Sequence, residues 1–362
     1  MATIYDVARA AGVSAKTVSR VLNSDAPVKT ATRERVEAAI AALGFVPSTA
    51  ARMMRSNRSG LIGLITGAIS QTTDQPASHG LPDLVIVQAI QRGIASSGMT
   101  VMIADTGGQS DQVAPLVQTF LEHRVQGLIY AADFHQRVAL PLVPKGFPLV
   151  LANCFDDAGT PSIVPDDRRG QHMLVERLLR AGHRRIGYLT LGRQMVATQL
   201  RTEGYRSALD EAGIAYDPAL VVLAYIDDAK LGSKLLWDAI DRLMSLPEPP
   251  TVLCCGNDAM AMRVYGILRS RGLRVPQDIS VAGFDDHRII AETLYPPLTT
   301  VELPYAAIGA RAAEQLLSLI ESGPDRNADR MPTLVAGPVI WRESVLSRTP
   351  IVEFQNQGRE RL

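Results

Sequence analysis

The stretch from Thr3 to Asn23 reads T-I-Y-D-V-A-R-A-A-G-V-S-A-K-T-V-S-R-V-L-N, and the rest of the chain is organised around it. Ile4, Val7, Ala8 and Ala11 recur at spacings of three and four residues. This spacing places the four apolar side chains on one face of a helix. The stretch therefore begins with a short amphipathic helix.

A glycine turn and a second helix follow. Gly12 can take a left-handed conformation at little steric cost, and Ser14 is a good N-cap. The second helix has Val18, Val21 and Leu22 on its inner face, and its outer face carries Ala15, Lys16, Thr17 and Arg20. Two short helices with a tight turn and a basic outer face predict a helix-turn-helix that lays its second helix in a DNA major groove. The alternative is an ordinary helical hairpin with a solvated basic face.

The charge of the chain is divided unevenly. Its 362 residues carry no net charge, yet residues 1–58 contain nine Lys/Arg and four Asp/Glu, whereas the remainder contains 28 and 33. A basic beginning on a mildly acidic body suits a protein that presents one end to phosphates. The hydrophobic content of 46% and charged content of 20% indicate a globular protein with a sizeable core.

A third helix, ending at Gly44, can close a small helical domain, and from Gly60 the pattern changes to alternating strands and helices. Short apolar runs of the kind found in buried parallel strands predict a doubly wound α/β architecture. The seven runs are L-I-G-L-I-T, M-T-V-M-I-A, Q-G-L-I-Y-A, P-L-V-L-A, R-I-G-Y-L-T, T-V-L-C-C-G and I-S-V-A-G-F. This number exceeds one comfortable sheet, so we expect two lobes.

The helix-turn-helix stretch resembles the headpiece of the LacI/GalR family of bacterial transcription regulators, and the similarity continues to about Glu343. The resemblance implies an all-α headpiece (1–46), a hinge helix (47–59) and a two-lobed α/β core like that of periplasmic binding proteins (60–345). It also implies that the first lobe, near the hinge, holds 60–162 and 294–325. The second lobe would hold 163–293 and 326–345, and 346–362 would be a loose tail.

The resemblance further implies that the hinge wedges an apolar side chain into the minor groove, a contact that bends DNA. Met54 stands where the family normally has leucine, and Ser48 stands where asparagine is common. Ala15, Lys16 and Arg20 are placed to read base edges, and Arg20 has the fork of donors that suits guanine. The remaining predicted DNA contacts are Thr3, Tyr5, Thr17, Ser19, Asn23, Lys29 and Ala51.

Polar side chains follow several of the apolar runs, where parallel strands end and ligands bind. Arginine, aspartate and amide groups suit a polyhydroxylated ligand. Arg201 (in R-T-E-G-Y) and Asp285 (in G-F-D-D) match effector positions of the family, as do Asn153 and Asn257. Asp258 is predicted to cap the next helix, although ligand contact is the alternative.

Several stretches resemble the sucrose-operon repressor branch, and Leu303 stands where many relatives carry glutamine. We therefore expect a sugar effector, sucrose or a related saccharide. Further candidate contacts are Phe155, Asp166, Tyr225 and Asp227, and Phe155 is equally consistent with a core position. A nucleoside, purine or phosphorylated metabolite is the alternative effector.

The sequence contains no G-x-G-x-x-G after the first strand, no P-loop and no G-x-S-x-G, so we expect neither an enzyme nor a bound cofactor. No Cys/His spacing suggests a metal, and three cysteines indicate reduced, buried thiols. With no signal peptide or membrane span, a cytoplasmic protein is expected rather than a secreted sugar-binding protein. The expected assembly is a homodimer that binds pseudo-palindromic operator DNA, repressing carbohydrate-utilisation genes until a sugar releases it.

Overall fold

The computed structural model describes residues 2–23, 27–46, 59–67, 69, 82–225, 229–323 and 331–348. The chain divides into two units, Met1–Gly60 and Leu61–Leu362. The predicted hinge contacts Ala51 and Met54 lie outside the described residues, as does Asp227. Among the described helices, none combines the length and apolar character needed to cross a membrane.

The first unit contains three helices, α1 (Ile4–Ala11), α2 (Ala15–Asn23) and α3 (Thr30–Leu43). They close around a core of small and β-branched side chains, in which Val7, Val18 and Val36 are fully buried. The predicted ends of α1 and α3 are confirmed, because Gly12 and Gly44 follow the last helical residues with a left-handed backbone. Leu43, the last residue of α3, is exposed.

The second unit is built on two parallel sheets, which we call the first and second lobes. The first-lobe sheet has the strand order β11-β5-β4-β3-β1-β2. Its strands are β1 (Leu61–Thr66), β2 (Thr100–Asp105), β3 (Leu128–Arg137), β4 (Leu149–Phe155), β5 (Ser162–Pro165) and β11 (Thr333–Val335). Its helices are α4 (Pro82–Ala95), α5 (Val113–Glu122) and α11 (Tyr305–Ser322), with a short 3-10 turn at Ser110–Gln112.

The second-lobe sheet has the order β7-β6-β8-β9. Its strands are β6 (Ile186–Thr190), β7 (Val221–Leu223), β8 (Val252–Cys255) and β9 (Ser280–Ala282). The helices are α6 (Asp167–Arg180), α7 (Val196–Glu211), α8 (Ala229–Met244), α9 (Asp258–Ser270) and the short α10 (Arg288–Ala291), with a 3-10 turn at Pro218–Leu220. A small antiparallel pair joins β10 (Thr300–Val301) to β12 (Val339–Ile340). All seven predicted strands are confirmed.

The lobe boundaries differ from the prediction at each crossing of the chain. The prediction placed 326–345 in the second lobe, but Thr333–Val335 pairs with Ser162–Pro165 in the first-lobe sheet. The first crossing therefore lies between Pro165 and Asp167 rather than at 162. In addition, 299–302 bridges to the second lobe beside β9, so the chain returns to the first lobe at α11 rather than at 294. These strands are too short for an apolar run to reveal them.

The predicted tail also begins later than 346. The Leu346 amide donates to the Ser280 hydroxyl at 3.0 Å, and the Arg348 amide donates to the Ala181 carbonyl at 2.7 Å. These bonds join residues 346–348 to the second lobe, and the remainder of the tail lies outside the described residues. The three cysteines are free and buried, as the sequence predicted.

Helices α6 and α7 pack closely because Gly204 lies against the backbone of α6. A Cβ at this position would overlap the Arg168 carbonyl oxygen and would crowd the His172 amide nitrogen at 3.0 Å. Backbone cannot rotate away as a flexible side chain can, so any larger residue would push the two helices apart. This contact fixes the beginning of α6, including Asp167.

We expect Gly204→Ala to lower the free energy of unfolding by about 2 kcal/mol, because overpacking outweighs the helix-propensity gain. Gly266→Ala is the matched control, since its Cβ would meet no atom within 4 Å in helix α9. The control should stabilise the protein by roughly 0.5–1 kcal/mol. Urea titrations would measure both changes, and equal stabilisation by the two alanines would contradict the close packing.

Candidate functional site

The local sequence explains how the helix-turn-helix forms. The Thr3 hydroxyl oxygen accepts the Asp6 amide at 3.3 Å while Asp6 accepts the Thr3 amide at 2.9 Å, which is a capping box. The Ser14 hydroxyl accepts the Thr17 amide at 3.2 Å, so Ser14 caps α2 as predicted. Between the two caps, Gly12 provides the left-handed turn with φ of 64°.

The predicted DNA contacts differ in how far their side chains are exposed to solvent. On α2, Lys16 and Arg20 are exposed, as base-reading side chains must be, and Tyr5 on α1 is 70% exposed. Thr3 and Lys29 are also exposed at the beginnings of α1 and α3. The half-buried candidates are Ala15, Thr17 and Ser19, and the structure does not describe the side chain of Asn23.

The second unit contains a cavity of about 270 Å³ that residues of both lobes line, and this cavity is the candidate ligand site. The first lobe contributes Asp133, Phe134, His135, Asn153 and Tyr305 to its wall. The second lobe contributes, among others, Arg201, Tyr225, Asn257, Asp285 and His287. Five predicted effector residues (Asn153, Arg201, Tyr225, Asn257 and Asp285) thus meet at one cavity, which Leu303 also lines.

Arg201 is held rigidly in the cavity wall. Its Nε donates to Asp167 Oδ1 at 2.6 Å, and its Nη1 donates to the Gly256 carbonyl at 2.6 Å. The guanidinium plane also lies over the Phe284 ring, with 3.6 Å from Cζ to the ring centroid. Neither hydrogen bond uses Nη2, so the fork is oriented before any ligand binds to it.

Asn153 presents an acceptor from the first lobe. Its backbone has φ of 60°, and its Nδ2 donates to the Ala132 carbonyl at 3.0 Å, which fixes the amide. The side chain is 1% exposed, and Oδ1 has no hydrogen-bond partner within the described structure. A buried carbonyl oxygen without a partner is costly, and a ligand hydroxyl would satisfy it.

Asn257 and Asp258, which both follow β8, differ in role from the prediction. Asn257, not Asp258, caps α9, since its Oδ1 accepts the Met260 amide at 2.8 Å. Asp258 is instead buried behind the cavity, where it accepts the Thr300 hydroxyl at 2.7 Å and the His287 amide at 2.8 Å. The prediction that Asp258 caps the helix was wrong because the break after C-C-G leaves Asn257 outside the first helical turn.

Two further predicted contacts within the described residues, Asp166 and Phe155, do not line the cavity. Asp166 caps α6 by accepting the Arg169 amide at 3.0 Å, and its neighbour Asp167 turns inward to Arg201. Phe155 packs edge-on against His135, with ring centroids 5.8 Å apart. Both therefore lie behind the cavity wall in this structure.

Sequence reasoning missed Asp167 and Phe284, which contact Arg201, and His135, which contacts Asp167. Asp167 follows the predicted Asp166 directly in V-P-D-D. The aspartate pair therefore indicated this position, but the prediction chose the first of the two residues. Burial alone would raise the pKa of Asp167, but the Arg201 guanidinium and the His135 hydrogen bond outweigh it and hold the pKa below its usual value. The described residues contain no group of three or more His, Cys, Asp or Glu arranged to hold a metal ion.

Comparison with known proteins gives the same division of the chain. Residues 3–48 match the family described as bacterial regulatory proteins, lacI family. Residues 175–345 match the periplasmic binding protein-like domain. The helix-turn-helix unit and the parallel-sheet lobes are therefore found in the order that the sequence predicted.

Curated relatives extend over nearly the whole chain. The ribose operon repressor of Haemophilus influenzae is 32% identical over 355 residues, which cover 96% of this chain and 99% of that protein. The sucrose operon repressor of Escherichia coli is 35% identical over 336 residues, covering 92% and 97%. The transcriptional repressor PurR of Vibrio atlanticus is 31% identical over 327 residues, covering 89% and 92%.

Among solved structures, the lac repressor dimer bound to operator and the anti-inducer ONPF matches with a TM-score of 0.73 and 26% identity. The match covers 95% of this chain and 99% of that one. The three curated relatives are repressors, and the lac repressor structure contains its operator. Because relatives above 30% identity span almost its full length, the chain belongs to the lacI family of bacterial regulatory proteins.

Proposed function

We propose that this transcriptional repressor is released from its operator by a small sugar, sucrose or a related saccharide, that binds between the two lobes. The observation that carries the proposal is that Arg201 and Asn153 line the same cavity from opposite lobes. Arg201 offers oriented donors from one lobe, while the Asn153 carbonyl oxygen needs a donor from a ligand. Hydroxyl groups donate and accept at once, so neighbouring hydroxyls of a saccharide match both requirements.

The apolar part of the wall fits the same ligand class. Leu191, Met195 and Leu303 line the cavity beside the polar groups and can cover the carbon face of a sugar ring. Leu303 stands where many relatives carry glutamine, so its side chain cannot form a hydrogen bond with the ligand. Fewer residues therefore provide the polar contacts of the cavity. Sucrose and ribose operon repressors among the relatives support a carbohydrate role for the chain.

A nucleoside, purine or phosphorylated metabolite is the second candidate. The aromatic side chains Phe134, Tyr225 and Tyr305 line the cavity and offer faces on which a base could stack. Arg263 lines it as well and could pair with a phosphate. The relationship to PurR adds to this candidate, so purines and phosphorylated sugars belong in the ligand panel.

For DNA binding, we propose a homodimer whose two α2 helices enter successive major grooves of a pseudo-palindromic operator. Lys16, Arg20 and the small Ala15 would read base edges. The other candidates, Thr3, Tyr5, Thr17, Ser19, Asn23 and Lys29, would contact the backbone, and Ala51 and Met54 would act at the minor groove. The lac repressor, a dimer on its operator, supports this arrangement.

The effector prediction is tested with Arg201→Lys, which keeps a cation beside Asp167 but loses the planar fork. A binding sugar should raise the melting temperature of the wild-type protein in a concentration-dependent way, and this variant should require at least tenfold more sugar. Thermal unfolding of the wild-type and variant proteins, in the presence of sugars, purines or phosphorylated sugars at several concentrations, measures the shift in melting temperature and the concentration required for it. Arg206→Ala is the control, because Arg206 lies on the same helix but stacks on Tyr216. A shift with purines alone would overturn the sugar proposal.

The affinity for the sugar should also depend on pH. Withdrawal from water raises the pKa of Asp285 to about 7, although the Arg201 guanidinium acts in the opposite direction. The ionised carboxylate accepts hydroxyl hydrogens with both oxygens, so affinity should increase from about pH 6 to about pH 8 and then level off.

Asp285→Asn cannot ionise and should bind with an affinity that is flat over this range, whereas exposed Asp210→Asn should follow the wild-type profile. Calorimetric titration at several pH values would measure the profiles. If the wild-type profile is as flat as that of Asp285→Asn, Asp285 does not act as the ionised acceptor.

The base-reading prediction is tested with Arg20→Ala. Loss of a guanine contact should cost roughly 1–3 kcal/mol of discrimination between the operator and a site substituted at one base pair. Arg9→Ala provides the control, since Arg9 is exposed on α1. Its loss should change the affinities for the operator and for the substituted site by the same factor, and it should change the salt dependence of both affinities equally. Fluorescence titrations at fixed salt measure the four affinities, and unchanged discrimination in Arg20→Ala would refute the assignment.

A further inference from the structure

A chain of three charged or polar side chains runs through the interior between the lobes. His135 Nδ1 lies 2.7 Å from Asp167 Oδ2, and Arg201 Nε lies 2.6 Å from Asp167 Oδ1. The side chains of His135 and Arg201 are each 5% exposed, and that of Asp167 is fully buried. We call His135, Asp167 and Arg201 the interlobe triad.

The members of the triad belong to different lobes. His135 lies on β3 of the first lobe, in the segment between Ala131 and Gln136 where the pairing with β4 shifts register. Asp167 is the first residue of α6 in the second lobe, two positions after β5 ends. Arg201 lies on α7 of the same lobe, so the His135–Asp167 bond crosses from one lobe to the other.

Both ends of the crossing bond are fixed locally. The Asp166 amide donates to the Val335 carbonyl at 2.8 Å, and the close packing at Gly204 holds the next turn of α6. The His135 ring is held edge-on by Phe155. A carboxylate only accepts hydrogen bonds, so Nδ1 carries the hydrogen and the bond to Asp167 has a defined direction.

We propose that His135 is a positioning residue that ties the first lobe to the carboxylate orienting Arg201, and so couples occupation of the cavity to the relative orientation of the lobes. The proposal rests on the proposed function in one respect, that the cavity is the effector site. A ligand that accepts a hydrogen bond from Arg201 Nη2 competes with Asp167 for the charge of the guanidinium, and so changes how strongly Asp167 is bound. Through the Nδ1 bond, this change reaches the sheet of the first lobe.

A His135–Asp167 pair that only stabilised the fold would have the same geometry. The test therefore changes the position of the hydrogen-bond donor at residue 135. Asparagine places its amide nitrogen at about the position of Nδ1 and can still donate to Asp167. Glutamine carries the same amide one carbon further from the backbone, and leucine removes the donor. His172→Gln is the matched control, because His172 Nε2 pairs with Glu211 at 2.9 Å at the surface of the second lobe.

The experiment uses the full-length protein and an operator duplex selected from a randomised pool. Operator affinity is measured without and with saturating sucrose, or with whichever sugar raises the wild-type melting temperature, and the ratio is the coupling. We expect the coupling of His135→Leu and His135→Gln to fall at least fivefold. His135→Asn and His172→Gln should stay within twofold of wild type. Retention of wild-type coupling by both the leucine and glutamine variants would overturn the proposal.

Two further readouts keep the outcome decisive. If His135→Leu fails to fold, the comparison of the asparagine and glutamine variants decides alone. If no sugar shifts the wild-type melting temperature, the proposed function fails, and the triad is judged on operator affinity without sugar. A difference of at least threefold between His135→Gln and both wild type and His135→Asn would then support it, and equal affinities would refute it.

Discussion

The ion pair between Asp167 and Arg201 is the interaction on which the core of this protein depends. A buried pair gains little net stability over apolar packing, because both charges lose their hydration. Its value here is positional, since Asp167, the Gly256 carbonyl and the Phe284 ring leave the guanidinium one orientation. The cavity therefore contains a donor whose conformational entropy has already been lost, which favours ligand binding.

Close helix packing is what makes this arrangement possible. Gly204 lets α7 approach the first turn of α6, and Gly170 on α6 leaves room for the Phe284 ring, which a Cβ would meet at 2.9 Å. Without these two glycines the carboxylate, the guanidinium and the ring could not occupy adjacent positions. The two glycines are therefore needed for the geometry of the site as well as for the packing of the core, although neither of them lines the cavity.

The sequence predicted the elements that have strong local signals. The headpiece helices follow from spacing, capping and turn glycines, and seven strands follow from apolar runs. The crossings between the lobes were not predicted because β5, β11 and β12 are strands of only two to four residues that lie outside the apolar runs, and tertiary contacts rather than periodicity decide such pairing. At the site, Arg201 and Asp285 were predicted from their polar residue types after strands and from their match to effector positions of the family. Residue type could not distinguish Asp166 from Asp167, since that depends on which one turns inward at the start of α6.

The magnitude of allosteric coupling indicates how few contacts such a switch requires. Coupling free energies between effector and DNA sites are typically about 1–3 kcal/mol. A hydrogen bond to a charged group contributes roughly 1.5–3 kcal/mol, the same range, when its partners are buried. One bond across the lobes, made in one orientation and weakened in another, is therefore sufficient in principle. Extensive rearrangement of the interface would not be needed for the proposed coupling, because packed helices and sheets on each side of such a bond would move as rigid bodies.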